Sequence, residues 1–290
     1  MKIQTFTIVT GTAACNAKCP FCISKMTPKQ GVGFKKPEVN WRNFSKACRL
    51  AQINHVSTVL LTGKGEPTLY PEQITNYLRE LQPYDFPMIE IQTNALILDR
   101  EFEKYEKYLK GWYELGLNTI AISIVDYRKE NNKQVYTPDS KYIDLERVIK
   151  RLHKIGYSIR LSCMMMKGFI DSVKEVKDLA EFCKKNNVEQ LTVRSIRAST
   201  NSENKKIQGY TTEKALSQKQ IDTIGKFLEK NAKKLMTLSY GAIIYDLNGQ
   251  NIANSDCLTI KPETDELRQL IFFPEGHLRY DWQYRGAILM

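Results

Sequence analysis

Three of the chain's seven cysteines fall in one short stretch, ACNAKCPFC at 14–22, as Cys15, Cys19 and Cys22. In a reducing compartment such clustered thiols point to metal or catalysis rather than to disulfides. Three thiolates so close can share one metal centre. Tetrahedral structural zinc wants a fourth ligand, and the three histidines, His55, His153 and His277, are all far off in sequence. An iron–sulfur cluster held by three protein ligands keeps one iron open for a chelating small molecule. A chance grouping or a partial zinc site also fits the spacing taken alone.

The elements that must position this loop are legible on both sides of it. FTIVT (6–10) reads as a strand just before it. Strands then alternate with amphipathic helices: a helix at 43–53, a strand at 56–62, a helix at 72–81, a strand at 88–93, a helix at 100–115, a strand at 119–125, a helix at 143–155, a strand at 158–166, a helix at 172–185 and a sixth strand at 190–196. That alternation predicts parallel βαβ units. The expected fold is α/β, a partial (β/α)6 TIM-like barrel at 1–205, with a small α+β extension at 206–290 covering the barrel mouth. Reactive residues then belong at the C-terminal ends of the strands. The stretch 126–142, DYRKENNKQVYTPDSKY, reads as irregular, either a mobile lid or a plain surface loop. Residues 197–217 read as polar loop, followed by a helix through 235 and short strands around a Pro-Glu-Gly-His turn at 274–277.

Composition narrows the partners. The net charge of +11 favours anionic ones. Many of the basic residues recur at helical spacing, which reads as solvated helix faces rather than a nucleic-acid stripe. No run is long enough for a membrane span. The N-terminus lacks a secretory signal's long apolar stretch, so the expected location is the cytoplasm.

CNAKCPFC has the CxxxCxΦC form, with Phe21 as the aromatic, and in this it resembles the radical S-adenosylmethionine superfamily. The resemblance implies one 4Fe–4S cluster on Cys15, Cys19 and Cys22, with S-adenosylmethionine chelating the open iron and an external reductant of flavodoxin or ferredoxin type. TGKGEPTL (62–69) resembles the family's Gly-Gly-Glu-Pro motif. It implies that Gly65, Glu66 and Pro67 hold the cofactor's methionine moiety, Glu66 through its ammonium. Lys64 stands where the family has its first glycine. IQTNALIL resembles the TNG turn of the branch that rearranges GTP, and implies that Thr93 and Asn94 face the cofactor. AISIVD resembles that branch's SxD strand, which implies a contact from Ser123, with Asp126 just beyond. IRLSCMMMKGFID places Gly168 along the adenine, while Met164, Met165 and Met166 also read as plain core filling. Arg194, with Arg160 and Arg197, either binds a carboxylate or phosphate or forms a structural ion pair.

The segment 255–282 has the rhythm of the superfamily's auxiliary-cluster tails. It retains only Cys257, with Tyr280 and Trp282 at the later positions, so a single cluster is expected. Cys48 and Cys183 read as buried helix residues. A solitary Cys257 suits a hydrogen-atom donor, as in radical epimerases, or an incidental thiol. The leading expectation is radical modification of a small anionic substrate, nucleotide- or sugar-like. Modification of a short peptide, activation of a glycyl-radical enzyme and a non-enzymatic iron–sulfur role are the alternatives.

Overall fold

The structure, a computed structural model, describes residues 2–28, 31–33, 35, 38–238, 241–255 and 266–290. The first strand, β1 (Lys2–Val9), runs into the cysteine loop and a single helical turn, α1 (Ile23–Met26). The alternation then follows as the periodicity predicts: α2 (Trp41–Ile53), β2 (Thr58–Thr62), α3 (Pro71–Leu81), β3 (Met88–Thr93), a short α4 (Leu96–Arg100) and α5 (Phe102–Glu114). Next come β4 (Leu117–Ile124), α6 (Lys129–Tyr136), α7 (Leu145–Ile155), β5 (Ser158–Met165), α8 (Val173–Lys185) and β6 (Gln190–Ser195). The remaining elements are α9 (Lys205–Lys214), α10 (Gln218–Asn231), β7 (Lys233–Thr237), β8 (Ile243–Leu247), β9 (Gln250–Asn254), β10 (Glu266–Phe272) and β11 (Leu278–Arg279).

Strands β1 to β6 pair in sequence order, all parallel. The later strands lengthen this sheet at both sides. β9 lies parallel to β6, and β10 lies parallel to β1 with Lys2 opposite Glu266. The full order is β11-β10-β1-β2-β3-β4-β5-β6-β9-β8-β7, an open sheet.

Period-two alternation divides each strand between two environments. Ile89 and Ile91 on β3, Ile159 and Leu161 on β5, and Leu191 and Val193 on β6 all join the main apolar core with the helices. Glu90, Arg160 and Arg194 fall on the opposite face, toward the concave side. Cys48, Cys163 and Cys183 are buried and unbridged, as small core residues are.

Three expectations need correction. The stretch 126–142 contains a helix, α6, whose Val135 and Tyr136 are buried. Its apolar residues are few, and Asn132 stabilises it instead by accepting from the Val125 and Asp126 amides. Residues 205–214 are helical rather than loop: the Asn204 side chain caps the Ile207 amide, a signal hidden among other polar residues. The long helix expected through 235 stops at Asn231; Ala232 turns extended, and Lys233 begins an edge strand paired antiparallel with β8. No helix among the described residues is long and apolar enough to cross a membrane.

Candidate functional site

The cysteine loop is fastened at both ends. Ala14 accepts from the Glu66 amide at 2.9 Å, which ties it to the turn after β2. The Lys18 amide donates to the Tyr136 carbonyl at 2.9 Å, so α6 lies beneath the loop. Between these anchors the Ala17 amide donates to Cys15 Sγ at 3.4 Å, and Cys22 stands at the start of α1. Phe21 packs into the core from the same loop.

Glycine is required where β2 meets that loop. A Cβ on Gly65 would clash with the Ala14 carbonyl and stand 2.7 Å from the Thr12 carbonyl oxygen. One on Gly63 would stand 2.8 Å from the Thr10 carbonyl oxygen. Both obstacles are backbone and cannot rotate away. Pro67 begins a short 3-10 turn over Pro67–Leu69 and is itself buried.

Glu66 is the knot of the site. Its Oε1 accepts from the Thr68 amide (3.1 Å), the Thr68 hydroxyl (2.7 Å) and the Thr93 hydroxyl (2.5 Å), and its Oε2 accepts from the Asn94 amide (2.9 Å). Burial raises its pKa, and these hydrogen bonds oppose the rise. Asn94 carries the network onward: its Nδ2 donates to Asn16 Oδ1 at 2.7 Å and approaches Cys15 Sγ at 3.8 Å. Ala95, in place of a glycine after Thr93-Asn94, holds the left-handed backbone at φ +57°. Three strand ends are thereby locked to one another around the cysteines.

Two of the three thiols, Cys15 and Cys19, are shifted toward the neutral form. Burial raises Cys19 strongly and pushes Cys15 up to about 11, and the other cysteines of the loop add to both shifts. Among the described residues no three His, Cys, Asp or Glu side chains already surround one point. The loop offers three thiols that a metal must deprotonate and draw together.

The other expected residues divide. Ser123 lies on the concave face of β4 opposite Ser162 of β5. Asp126 is wholly buried, with Arg128 and Asn131 on its carboxylate and the Arg128 amide bonded to it at 2.9 Å; it organises the start of α6. Gly168 has open space around it, and its φ of +86° explains the glycine. Arg160 pairs with Glu90, and Arg194 acts on the same carboxylate. That carboxylate is shared by two guanidinium groups. Cys257 lies outside the described residues. Thr68 and Asn16 escaped the sequence reading; the threonine directly after the Glu66-Pro67 pair was the available signal.

Residues 9–183 match the family described as the Radical SAM superfamily. The chain belongs to that superfamily. A GTP 3',8-cyclase from Aquifex aeolicus (strain VF5) is 27% identical over 176 residues, covering 60% of this chain and 51% of the relative. The chain thus spans about half the length of the curated relative it matches. Among solved structures, anSMEcpe with bound AdoMet is similar with a TM-score of 0.61 at 15% identity, over 99% of this chain and 77% of that one. Streptococcus suis SuiB bound to S-adenosylmethionine has a TM-score of 0.57 at 16% identity, over 96% of this chain and 60% of that one. These likenesses establish the partial-barrel fold of radical SAM enzymes. The cofactors of this radical SAM enzyme are S-adenosylmethionine and a 4Fe–4S cluster, and the donor set fits the cluster: three free thiols on one loop, whose backbone packs so closely on Gly65 that any side chain there would collide with it.

Proposed function

We propose that this chain cleaves S-adenosylmethionine reductively and takes hydrogen from a small anionic substrate, nucleotide- or sugar-like. The observation that carries the reading is the lock of the cysteine loop onto Gly65, Glu66 and Asn94. A cluster held by these cysteines would supply the single electron for reductive cleavage of S-adenosylmethionine and so the radical chemistry of the family. Cys15, Cys19 and Cys22 hold the iron. Glu66, already gripped by its neighbours, keeps Oε2 with a single donor among the described residues and would accept from the cofactor's ammonium. Thr93, Asn94 and Ser123 line the same rim, and the backbone near Gly168 borders the adenine. An external one-electron donor of flavodoxin or ferredoxin type completes the system, which we place in the reducing cytoplasm.

The substrate class is supported by the likeness to a GTP 3',8-cyclase and by the guanidinium groups of Arg160 and Arg194 on the concave face. A second reading, modification of a peptide with Cys257 returning a hydrogen atom, draws on a different observation. The cyclase likeness covers 60% of the chain, whereas the likeness to SuiB, also solved bound to its precursor peptide SuiA, extends over 96%.

The test is anaerobic reconstitution with iron and sulfide, reduction with dithionite, and assay of 5′-deoxyadenosine against a Cys19→Ala control. Formation only with intact cysteines supports the reading; a zinc-binding protein that forms none ends it. Acceleration by nucleoside triphosphates favours the first substrate class. Acceleration by a peptide, with product altered in Cys257→Ala, favours the second.

A further inference from the structure

Lys64 replaces a residue that needs no side chain, yet its own side chain is packed away. It is 8% exposed; its Nζ donates to Thr27 Oγ1 at 2.7 Å and stands 5.1 Å from the centre of the Trp282 ring. Thr27 directly follows α1, the helical turn that begins at Cys22. Beside it lies a second buried cation, Arg279, 6% exposed. Arg279 donates from Nη1 to the Arg285 carbonyl at 3.1 Å and stands 5.3 Å over the Phe273 ring, while its Nε has no partner among the described residues. Phe273 and Trp282 meet edge to face at 5.7 Å and close the pair off from solvent.

Two adjacent buried cations repel each other and forfeit hydration, so the arrangement costs free energy unless a negative charge lies within reach. Thr27 Oγ1 in turn donates to the Ile23 carbonyl at 3.1 Å, next to Cys22, so two hydrogen bonds tie the Lys64 ammonium to the end of the cysteine loop; among the described residues no carboxylate pairs with it. Arg279 meets a carbonyl and an aromatic face among the described residues. Among the described residues, the negative charge at hand for both is a metal centre on the three thiolates of the cysteine loop. Cation–π contact with Trp282 and Phe273 offsets part of the burial cost, but an aromatic face carries no net charge.

We propose that Lys64 and Arg279 are the built-in counter-charge of the cluster held by Cys15, Cys19 and Cys22, and that they raise its reduction potential. This rests on the cluster assignment made above. Added negative charge is easier to place beside buried cations than beside solvent-screened ones. Lys25, on the loop's exposed side, therefore serves as the screened comparison.

The experiment is a potentiometric titration of the reconstituted, full-length holoenzyme, reading the reduced cluster by its paramagnetic resonance signal. Iron and sulfide content is measured for each variant. At the potential that reduces half of the wild-type cluster, Lys64→Met is expected to show a reduced-to-oxidised ratio at least tenfold lower, equal to about 59 mV for one electron. Arg279→Gln is expected to shift in the same direction, and Lys25→Met by less than either. Equal potentials for wild type and both buried-site variants at equal iron content overturn the proposal. So does a Lys25→Met shift as large as that of Lys64→Met. If Lys64→Met loads no cluster, Lys64→Arg decides: recovery of loading confirms the need for charge, whereas loss in both with an unshifted Arg279→Gln overturns it. A wild-type protein that loads no cluster defeats the cluster assignment itself, a separate result.

Discussion

Glu66, after β2, and Ser162, on β5, are both buried polar groups at the concave side of one sheet, yet their surroundings are opposites. The Glu66 carboxylate takes four hydrogen bonds from Thr68, Thr93 and Asn94. The Ser162 hydroxyl takes none. The ends of β1 to β3 are thus assembled before any ligand arrives. The face of β4 to β6 keeps polar groups whose needs are left for something else to meet. A cofactor common to a whole superfamily suits the first arrangement. A substrate particular to one enzyme suits the second.

The strongest way to break this contrast is Gly65→Ala. Its Cβ would meet the Ala14 and Thr12 backbone, so a loss of about 3 kcal/mol or more in urea unfolding is expected. Gly168→Ala, with open space but positive φ, should cost about 1 kcal/mol. If the two losses are equal, the loop is not locked in the way described.

The next effect is chemical. In the metal-free protein the Cys15 thiol, pushed up to about 11 from an ordinary 9.0, is short of thiolate. Its alkylation at pH 8 should be about a hundredfold slower than in urea-unfolded protein, and the rate should keep climbing with pH until roughly 11. Mass-spectrometric rates across pH 7–11 measure this; because the Cys15 side chain is solvent-exposed, a profile levelling off near 9 would show that its thiol is hydrated as in the unfolded chain and is not shifted by the loop around it.

Asn94→Ala removes the bonds to Asn16 and Cys15, and a loss of about 1–2 kcal/mol is expected, with faster alkylation of Cys15. Unchanged Cys15 reactivity would show that Asn94 does not restrain the loop. The smallest effect belongs to Ser162→Ala. Deleting a hydroxyl without a partner should alter stability by under about 0.5 kcal/mol while substrate affinity changes. A large calorimetric destabilisation would return Ser162 to the structural framework.

The same division decides what could be read from the sequence. Met88–Thr93 is visible because its alternation of apolar and polar residues is local. The Cys15-Cys19-Cys22 spacing and the Glu66-Pro67 turn are visible because each function is concentrated in adjacent residues. α9 is hidden, since Lys205–Lys214 has few apolar residues and depends on the Asn204 cap. α6 is hidden for a related reason, Asn132 bonding back to its own neighbourhood. The placement of β9 and β10 at opposite sides of the sheet is set by pairings across long stretches of chain, which no local pattern encodes. Lys64 reads as a surface residue by type; only Trp282, over two hundred positions later, makes it a buried one.

The pairing of β1 with β10 also orders events in time. β1 delivers the chain to its three thiols, yet one of its two edges is completed by residues near 270. As the polypeptide leaves the ribosome, the cysteine loop is made long before β10, the strand that finishes its support. Contacts of such long sequence separation form late in folding. Metal loading before β10 has emerged would therefore meet a strand bordered on one side only, and the mature geometry of the loop waits on that later strand.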